Sequence, residues 1–370
     1  MPDTATPDTA APDTKTITLA AALRDAMDLC MERDPNVFVI GQGATAPGRL
    51  FGSTTDLLEK YGPDRVQEMP LAENGVMGAL VGAAMAGMRP VMVCMRTDFL
   101  LLTLDQIVNH AAKSCYLTSG ERPVPLVIRA CIGRGWGQGP THVQSLEAMF
   151  AMVPGLKVVM PSSPAEAKGQ LIAAVEDPNP VVFLEHRWLH DETGAVPTGY
   201  YRTPLDGPRV VRPGRDVTVV ATSLMVLEAR RAAAALAMVG VECEVIDLAV
   251  LRPLKVEPVV ASVEKTGRLV TVDTGWRTLG LGAEVVARVT EQAFGALKAA
   301  PCRLGVPDHP SPSSMALLEG YDPTATAILR AAGEQAGLNP AEVERAQAAL
   351  TAAIGEWPVD VPVGGFRGAF

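Results

Sequence analysis

Glu73 stands in Pro70-Leu71-Ala72-Glu73-Asn74-Gly75, just ahead of a stretch dense in Gly and Ala. A carboxylate in that place has two readings. It caps a helix, held by the positive end of the dipole, or it faces a ligand at a strand-to-helix junction, where α/β proteins build their sites. His142 follows a Gly-rich run from Gly133 to Gly139, and an imidazole on such a loop suits proton transfer near neutral pH. The other histidines carry less. His110 falls in a helical pattern and is expected to pack. His186 and His190 flank Arg187 after a strand and are expected at a surface or interface. His309 sits among prolines, and none of these spacings is that of a metal site.

The six cysteines (Cys30, Cys94, Cys115, Cys131, Cys243 and Cys302) include no C-x-x-C pair and lie inside apolar stretches. They read as reduced core thiols, which argues against a disulfide scaffold or a zinc ribbon. Gly133-x-Gly135-x-x-x-Gly139 and Gly280-x-Gly282 lack the strand–turn–helix register of a dinucleotide loop. Ser262 to Gly267 holds both S-x-x-K and K-T-G, but the two share Lys265, and a helix ending at Gly267 accounts for them.

The elements that must position these residues follow from composition and periodicity. The chain has 370 residues, with 32 Lys plus Arg against 41 Asp plus Glu, a net charge of −9. That balance argues against a dedicated nucleic-acid binder, and the longest apolar run, Val76 to Met88, is too short to span a bilayer. No basic region followed by an apolar stretch opens the chain, so a cytoplasmic protein is expected. Hydrophobic residues make up 48% and aromatics 5%, which predicts aliphatic cores and more than one domain. Apolar runs at Val37 to Ile40, Val91 to Met95, Val124 to Arg129, Val158 to Met160 and Val181 to Glu185 alternate with helical patterns at Leu19 to Arg33, Leu57 to Tyr61, Gly75 to Met88, Leu100 to Ala112, Gln144 to Met152 and Pro164 to Glu176. A second block alternates strands at Val217 to Ala221, Cys243 to Asp247 and Leu269 to Val272 with helices at Leu224 to Val239, Val256 to Lys265 and Gly282 to Phe294, then closes with helices at Ala325 to Ala336 and Pro340 to Ile354. The predicted fold is α/β, with two open, mostly parallel sheets covered by helices. The expected division is a Pro-Asp-Thr repeat tail over 1–16, domains over 17–205 and 206–345, and a C-terminal tail over 346–370. The linker is expected between Asp191 and Arg215.

Several segments, taken together, carry a resemblance: Pro70 to Gly75; Val81-Gly82-Ala83-Ala84-Met85-Ala86-Gly87-Met88-Arg89-Pro90; Asp105-Gln106-Ile107-Val108-Asn109-His110-Ala111-Ala112-Lys113; Pro154-Gly155-Leu156-Lys157-Val158-Val159-Met160-Pro161; Leu251-Arg252-Pro253-Leu254; and Val272-Asp273-Thr274-Gly275-Trp276-Arg277. From about residue 17 to 332 the chain resembles the β subunits of thiamine-diphosphate-dependent, transketolase-like 2-oxoacid dehydrogenases. The resemblance implies a pyrimidine-binding domain followed by a transketolase C-terminal domain. It implies that Glu73 bonds the aminopyrimidine ring of thiamine diphosphate and favours its imino tautomer, which serves as the local base. It implies that Phe99 stacks on that ring beside Leu71 and Met95, and that His142 serves substrate or acyl transfer. Leu126, Ala174, Asp177 and Asn179 match positions that hold potassium in some relatives.

The Gly-Asp-Gly segment with which such enzymes hold the diphosphate and its magnesium is absent from the chain. An α subunit is therefore expected to supply it, in an assembly of two α and two β chains, with a lipoyl-bearing acyltransferase as a further partner. Three departures stand out. Gln42 replaces an acid, Arg96-Thr97-Asp98 replaces an uncharged segment, so that Arg96 and Asp98 join His142 as substrate-contact candidates, and Gln138-Gly139-Pro140-Thr141-His142 looks like the transketolase loop. The expected function is decarboxylation of a 2-oxo acid with acyl transfer to a lipoyl acceptor. The alternatives are half of a split transketolase-like or acyloin-forming enzyme, and a non-catalytic interaction subunit.

Overall fold

The computed structural model describes residues 13–46, 48, 50–134 and 137–355. Most of the Pro-Asp-Thr repeat and the end of the chain, expected as tails, lie outside the described residues. In chain order the first block holds β1 (Thr14–Thr18), α1 (Leu19–Arg33), β2 (Val37–Gly41), α2 (Leu57–Tyr61), β3 (Val66–Glu68), α3 (Glu73–Met85), β4 (Arg89–Cys94), α4 (Thr97–Leu100), α5 (Ala112–Leu117), β5 (Val127–Ile132), α6 (Glu147–Ala151), β6 (Lys157–Val159), α7 (Pro164–Glu176), β7 (Val181–His186) and β8 (Thr193–Pro197). The second block holds β9 (Arg209–Arg212), β10 (Val217–Ala221), α8 (Leu224–Ala237), β11 (Cys243–Asp247), β12 (Val250–Arg252), α9 (Glu257–Thr266), β13 (Leu269–Trp276), α10 (Leu281–Ala293), β14 (Cys302–Val306), α11 (Ala325–Ala336) and α12 (Pro340–Ile354).

The first sheet runs β12-β6-β7-β5-β4-β2-β3 and is parallel except for β12. The second runs β14-β13-β10-β11-β9, parallel except for β9. Successive residues of β4 face opposite cores, Val91 and Val93 into one and Met92 and Cys94 into the other. Both faces of the sheet are thus covered, the condition that makes a parallel strand read as an unbroken apolar run.

Several expectations shift. β1 begins at Thr14, inside the stretch expected as tail, because it pairs antiparallel with β8. The region expected as linker therefore carries two strands, β8 and β9. The boundary expected at 345 falls inside α12, whose Ala346 and Leu350 are buried. β5 starts at Val127 rather than Val124, because Pro125 cannot donate to a ladder. The single helix expected over Leu100 to Ala112 is broken into α4, a 3₁₀ turn at Leu101–Thr103 and a π-helical turn at Gln106–Ala111. β14, with Arg303 and Gly305 inside it, had no strand signature and takes its place at the edge by pairing with β13. β12 leaves the second block and pairs with β6, so the two blocks share one sheet edge.

Candidate active site

The chain leaves β2 to one side, for β3, and returns to the other side, for β4 and then β5. This reversal opens a crevice at the carboxyl ends of β2 and β4, where open α/β sheets bind ligands. Gly41 ends β2 there, and a Cβ on it would lie 2.2 Å from the Val93 carbonyl oxygen, so only glycine lets the two strands approach this closely.

Glu73 is the first residue of α3, with its carboxylate over the helix start and 7% of its surface exposed. Among the described residues it accepts one hydrogen bond, from Gln42 Nε2 to Oε1 at 3.1 Å. Gln42 comes directly off β2, and the same turn is tied down by Glu68, whose carboxylate accepts from the Gly43 and Thr45 N–H groups. Met95, off β4, is half-buried and its terminal methyl reaches toward Gly43. Phe99, on α4, is half-buried and meets the His142 ring edge-on at 5.4 Å and 89°. His142 Nδ1 lies 3.0 Å from Thr141 Oγ1, so that nitrogen is engaged by the neighbouring hydroxyl. Leu71 is 86% exposed on the loop before α3.

Arg96 and Asp98 flank Thr97 in the same turn and are buried. Each holds the His142 loop through an amide. Arg96 Nη2 donates to Gln138 Oε1 at 2.6 Å, and Gln144 Nε2 donates to Asp98 Oδ1 at 2.7 Å. Burial raises the Asp98 carboxyl above its ordinary value, with the Gln144 bond opposing. In the sequence Gln138 stands out only as part of a loop motif and Gln144 only as a helix start; their pairing with Arg96 and Asp98 had no sequence signal, since a loop amide forms no periodic pattern. The loop begins at Gly133, where φ is +89° and a Cβ would strike the His186 ring. On the loop's other side a cavity of about 300 Å³ separates it from the second block, lined by Ser145, Thr274, Trp276 and Tyr321 among others.

The remaining histidines correct their expectations. His110 is not packed but exposed near Asp105. His186 and His190 are not at a surface; both are buried. Burial, with Arg134, His190, Arg96 and Arg187 nearby, pushes His186 down to about 3, so it is neutral and accepts the Trp188 N–H through Nδ1. Burial would lower His190 too, but Cys131 and the Glu185 carboxylate outweigh it and raise it to about 9. Cys131, Glu185 and His190 form the one cluster with metal-ligand spacing among the described residues. Arg129 already grips Glu185 with two bonds, at 2.6 and 3.0 Å, and a protonated imidazole is no ligand. The cluster is a buried charge network.

The residues matched to potassium sit at the amino ends of the strands: Leu126 just before β5, Ala174 in the last turn of α7, and Asp177 and Asn179 between α7 and β7. The Leu126 carbonyl accepts from Val181 and the Ala174 carbonyl from Asp177. The Asp177 carboxylate is held by Lys157 and also caps the Asn179 N–H, and Arg89 donates to the Val175 carbonyl at 2.7 Å.

Residues 15–191 match the transketolase pyrimidine-binding domain and residues 208–328 the transketolase C-terminal domain. The chain is 42% identical to the acetoin:2,6-dichlorophenolindophenol oxidoreductase subunit beta of Cupriavidus necator, over 86% of this chain and 97% of that protein. It is 41% identical to the 2-oxoisovalerate dehydrogenase subunit beta of Pseudomonas aeruginosa, over 80% and 89% respectively. The chain belongs to the transketolase-like family of 2-oxoacid dehydrogenase β subunits. This family is thiamine-diphosphate-dependent, and its β subunits work in multi-subunit complexes with an α partner. Among solved structures, the β-subunit fold is shared with a split-gene transketolase described as an inactive β4 tetramer (TM-score 0.69, 26% identity, 87% of this chain and 99% of that one). The fold alone is shared with the transketolase of Leishmania mexicana (TM-score 0.62, 17% identity, 89% of this chain and 47% of that one). No helix among the described residues is long and apolar enough to cross a membrane.

Proposed function

We propose that this chain is the β subunit of a two-chain thiamine-diphosphate enzyme that decarboxylates a 2-oxo acid and passes the acyl group to a lipoyl acceptor. The observation that carries the reading is that the chain is about 40% identical over most of its length to dehydrogenase β subunits, and it is supported by Glu73 held by Gln42 at the start of α3 and by Phe99 against His142. The residues suit an aminopyrimidine ring. Glu73 offers a buried carboxylate, Phe99 an aromatic surface and Met95 an apolar wall. Bound there, thiamine diphosphate supplies the nucleophilic carbon and the electron sink. Glu73 would hold the ring, Gln42 holds Glu73, and His142 would move a proton.

The donor set of this chain does not suit magnesium. Among the described residues, the one ligand-like cluster offers a thiol, a cationic imidazole and an arginine-bound carboxylate, where magnesium takes oxygens. The diphosphate and its metal therefore belong to the α subunit. Along α3 the exposed positions Gly75, Ala79, Gly82 and Ala86 form a face of small residues, with Leu71 exposed at its start. Such a face admits close approach by another chain, and the partner docked on it would cover Glu73. Two α and two β chains, with a lipoyl-bearing acyltransferase as acceptor, complete the proposed assembly. Potassium is given no part, because Lys157 already neutralises the Asp177 carboxylate and Arg89 lies 3.5 Å from the Asp177 carbonyl oxygen.

The test is a calorimetric titration of thiamine diphosphate with magnesium into the co-expressed α–β complex and into this chain alone. Tight binding by the complex only, lost in Glu73→Ala, is the expected outcome. Equally tight binding by the lone chain would overturn the shared site. A complex that turns over 2-oxo acids equally well with no lipoyl acceptor or dye would exclude the dehydrogenase half of the reading.

A further inference from the structure

Arg96 is 3% exposed, and of its two terminal nitrogens only one is hydrogen-bonded among the described residues. Nη2 donates to Gln138, whereas Nη1 is buried with no hydrogen-bond partner among the described residues. No carboxylate among them forms an ion pair with it. Asp98, two residues on, spends Oδ1 on Gln144. The other close cation is Arg187, whose guanidinium lies 4.5 Å over the Phe51 ring, with that of Arg96 5.8 Å from the same ring. Two buried cations thus share one aromatic ring, and one of them holds an open donor. Burying a donor unpaired is costly unless something arrives to satisfy it, and an anion would satisfy both the donor and the charge. Burial above all, with Arg187 adding, holds the Arg96 pKa below the usual guanidinium value. Arg96 leaves β4 between Met95 and the Asp98–Phe99 turn and grips the His142 loop, so its guanidinium lies beside the residues of the candidate site.

We propose that Arg96 is a specificity-determining residue that binds an anionic group of the acyl donor remote from the reacting 2-oxo carbon, a second carboxylate or a phosphate ester. The inference rests on the functional reading above. The remote group is singled out by the chemistry. The carboxylate next to the 2-oxo carbon leaves as carbon dioxide, so a charge-assisted bond to it would stabilise the ground state more than the transition state and slow the reaction. An anion that keeps its charge throughout is held equally in both states, and the bond is expressed in KM.

The test uses the α–β complex with three donors: 2-oxovalerate, 2-oxoglutarate of the same chain length, and a 2-oxo acid bearing a terminal phosphate ester. Dye reduction gives kcat/KM for each. One of the dianionic donors is expected to exceed 2-oxovalerate, and Arg96→Met to shrink that ratio by tenfold to about a hundredfold, as for a hydrogen bond to a charged group, mainly through KM. Arg96→Lys is expected to restore part of it. In the cofactor-free complex, glutarate or inorganic phosphate should raise the melting temperature, the effective one naming the source, and the shift should vanish in Arg96→Met. Preference for 2-oxovalerate in the unaltered complex, or a ratio and melting shift unchanged in Arg96→Met, overturns the proposal. A complex that binds no thiamine diphosphate, yet shows the anion-dependent shift lost in Arg96→Met, overturns the functional reading and leaves the anion site standing.

Discussion

In the proposed reaction Glu73 would act through position as much as through charge. The helix dipole and the Gln42 amide both favour a fixed carboxylate at the start of α3. Replacement by glutamine keeps the size and removes the charge, so Glu73→Gln should lower kcat by at least about a hundredfold, within the range of lost acid–base groups, with an unchanged circular-dichroism spectrum. An unchanged kcat would remove Glu73 from the chemistry. Phe99→Ala should weaken cofactor binding by up to about tenfold, the scale of one aromatic contact, read by calorimetry on the complex. Glu73 was legible from its motif, at the junction before a small-residue helix. Its partner was not, because Gln42 lies 31 residues away and only the adjacency of β2 and the α3 start brings them together.

At the scale of elements, α3 shows why two kinds of information differ. Its buried side, Met77, Leu80, Val81 and Ala84, makes the core contacts that any helix on a sheet needs. Its exposed small residues are the face proposed above to meet the α subunit. Gly82→Leu should therefore leave the melting temperature of the isolated chain unchanged or higher, since helix propensity improves. The same change should block association with the α subunit in sedimentation velocity. Intact association would remove α3 from the interface. Helices with clean boundaries and periodic faces, α7 and α11, were legible to the residue. The region 97–117 was not, since nothing local marks where a helix tightens to 3₁₀ and then widens to π.

At the scale of the whole molecule, α6 of the first block meets β13 of the second through two buried acids. Neither oxygen of Glu147 has a hydrogen-bond partner among the described residues. Burial, then the Asp273 charge, raises Glu147 to about 7, and burial raises Asp273 to about 6 although the Gly282 N–H bonds it at 2.7 Å. A carboxyl whose folded pKa is raised contributes its full stability below its unfolded value and loses it as pH rises through the folded one. The chain should thus lose stability between about pH 4 and 7, and Glu147→Gln should flatten that slope in denaturation midpoints taken from pH 5 to 8. A parallel slope in the variant would place the loss elsewhere.

Amino-acid order alone was enough for the α/β class, the parallel sheets, most helices and the junction carrying Glu73. Each of these depends on periodicity, caps and breakers among residues within a turn or a strand of one another. Packing alone set the pairing of Gln42 with Glu73, the half-satisfied Arg96, the burial of His186 and His190, and the crossing of β12 into the first sheet. Those depend on which strands lie side by side and on whether a charge meets water or a partner there. Residues far apart along the chain carry no local trace of such a meeting.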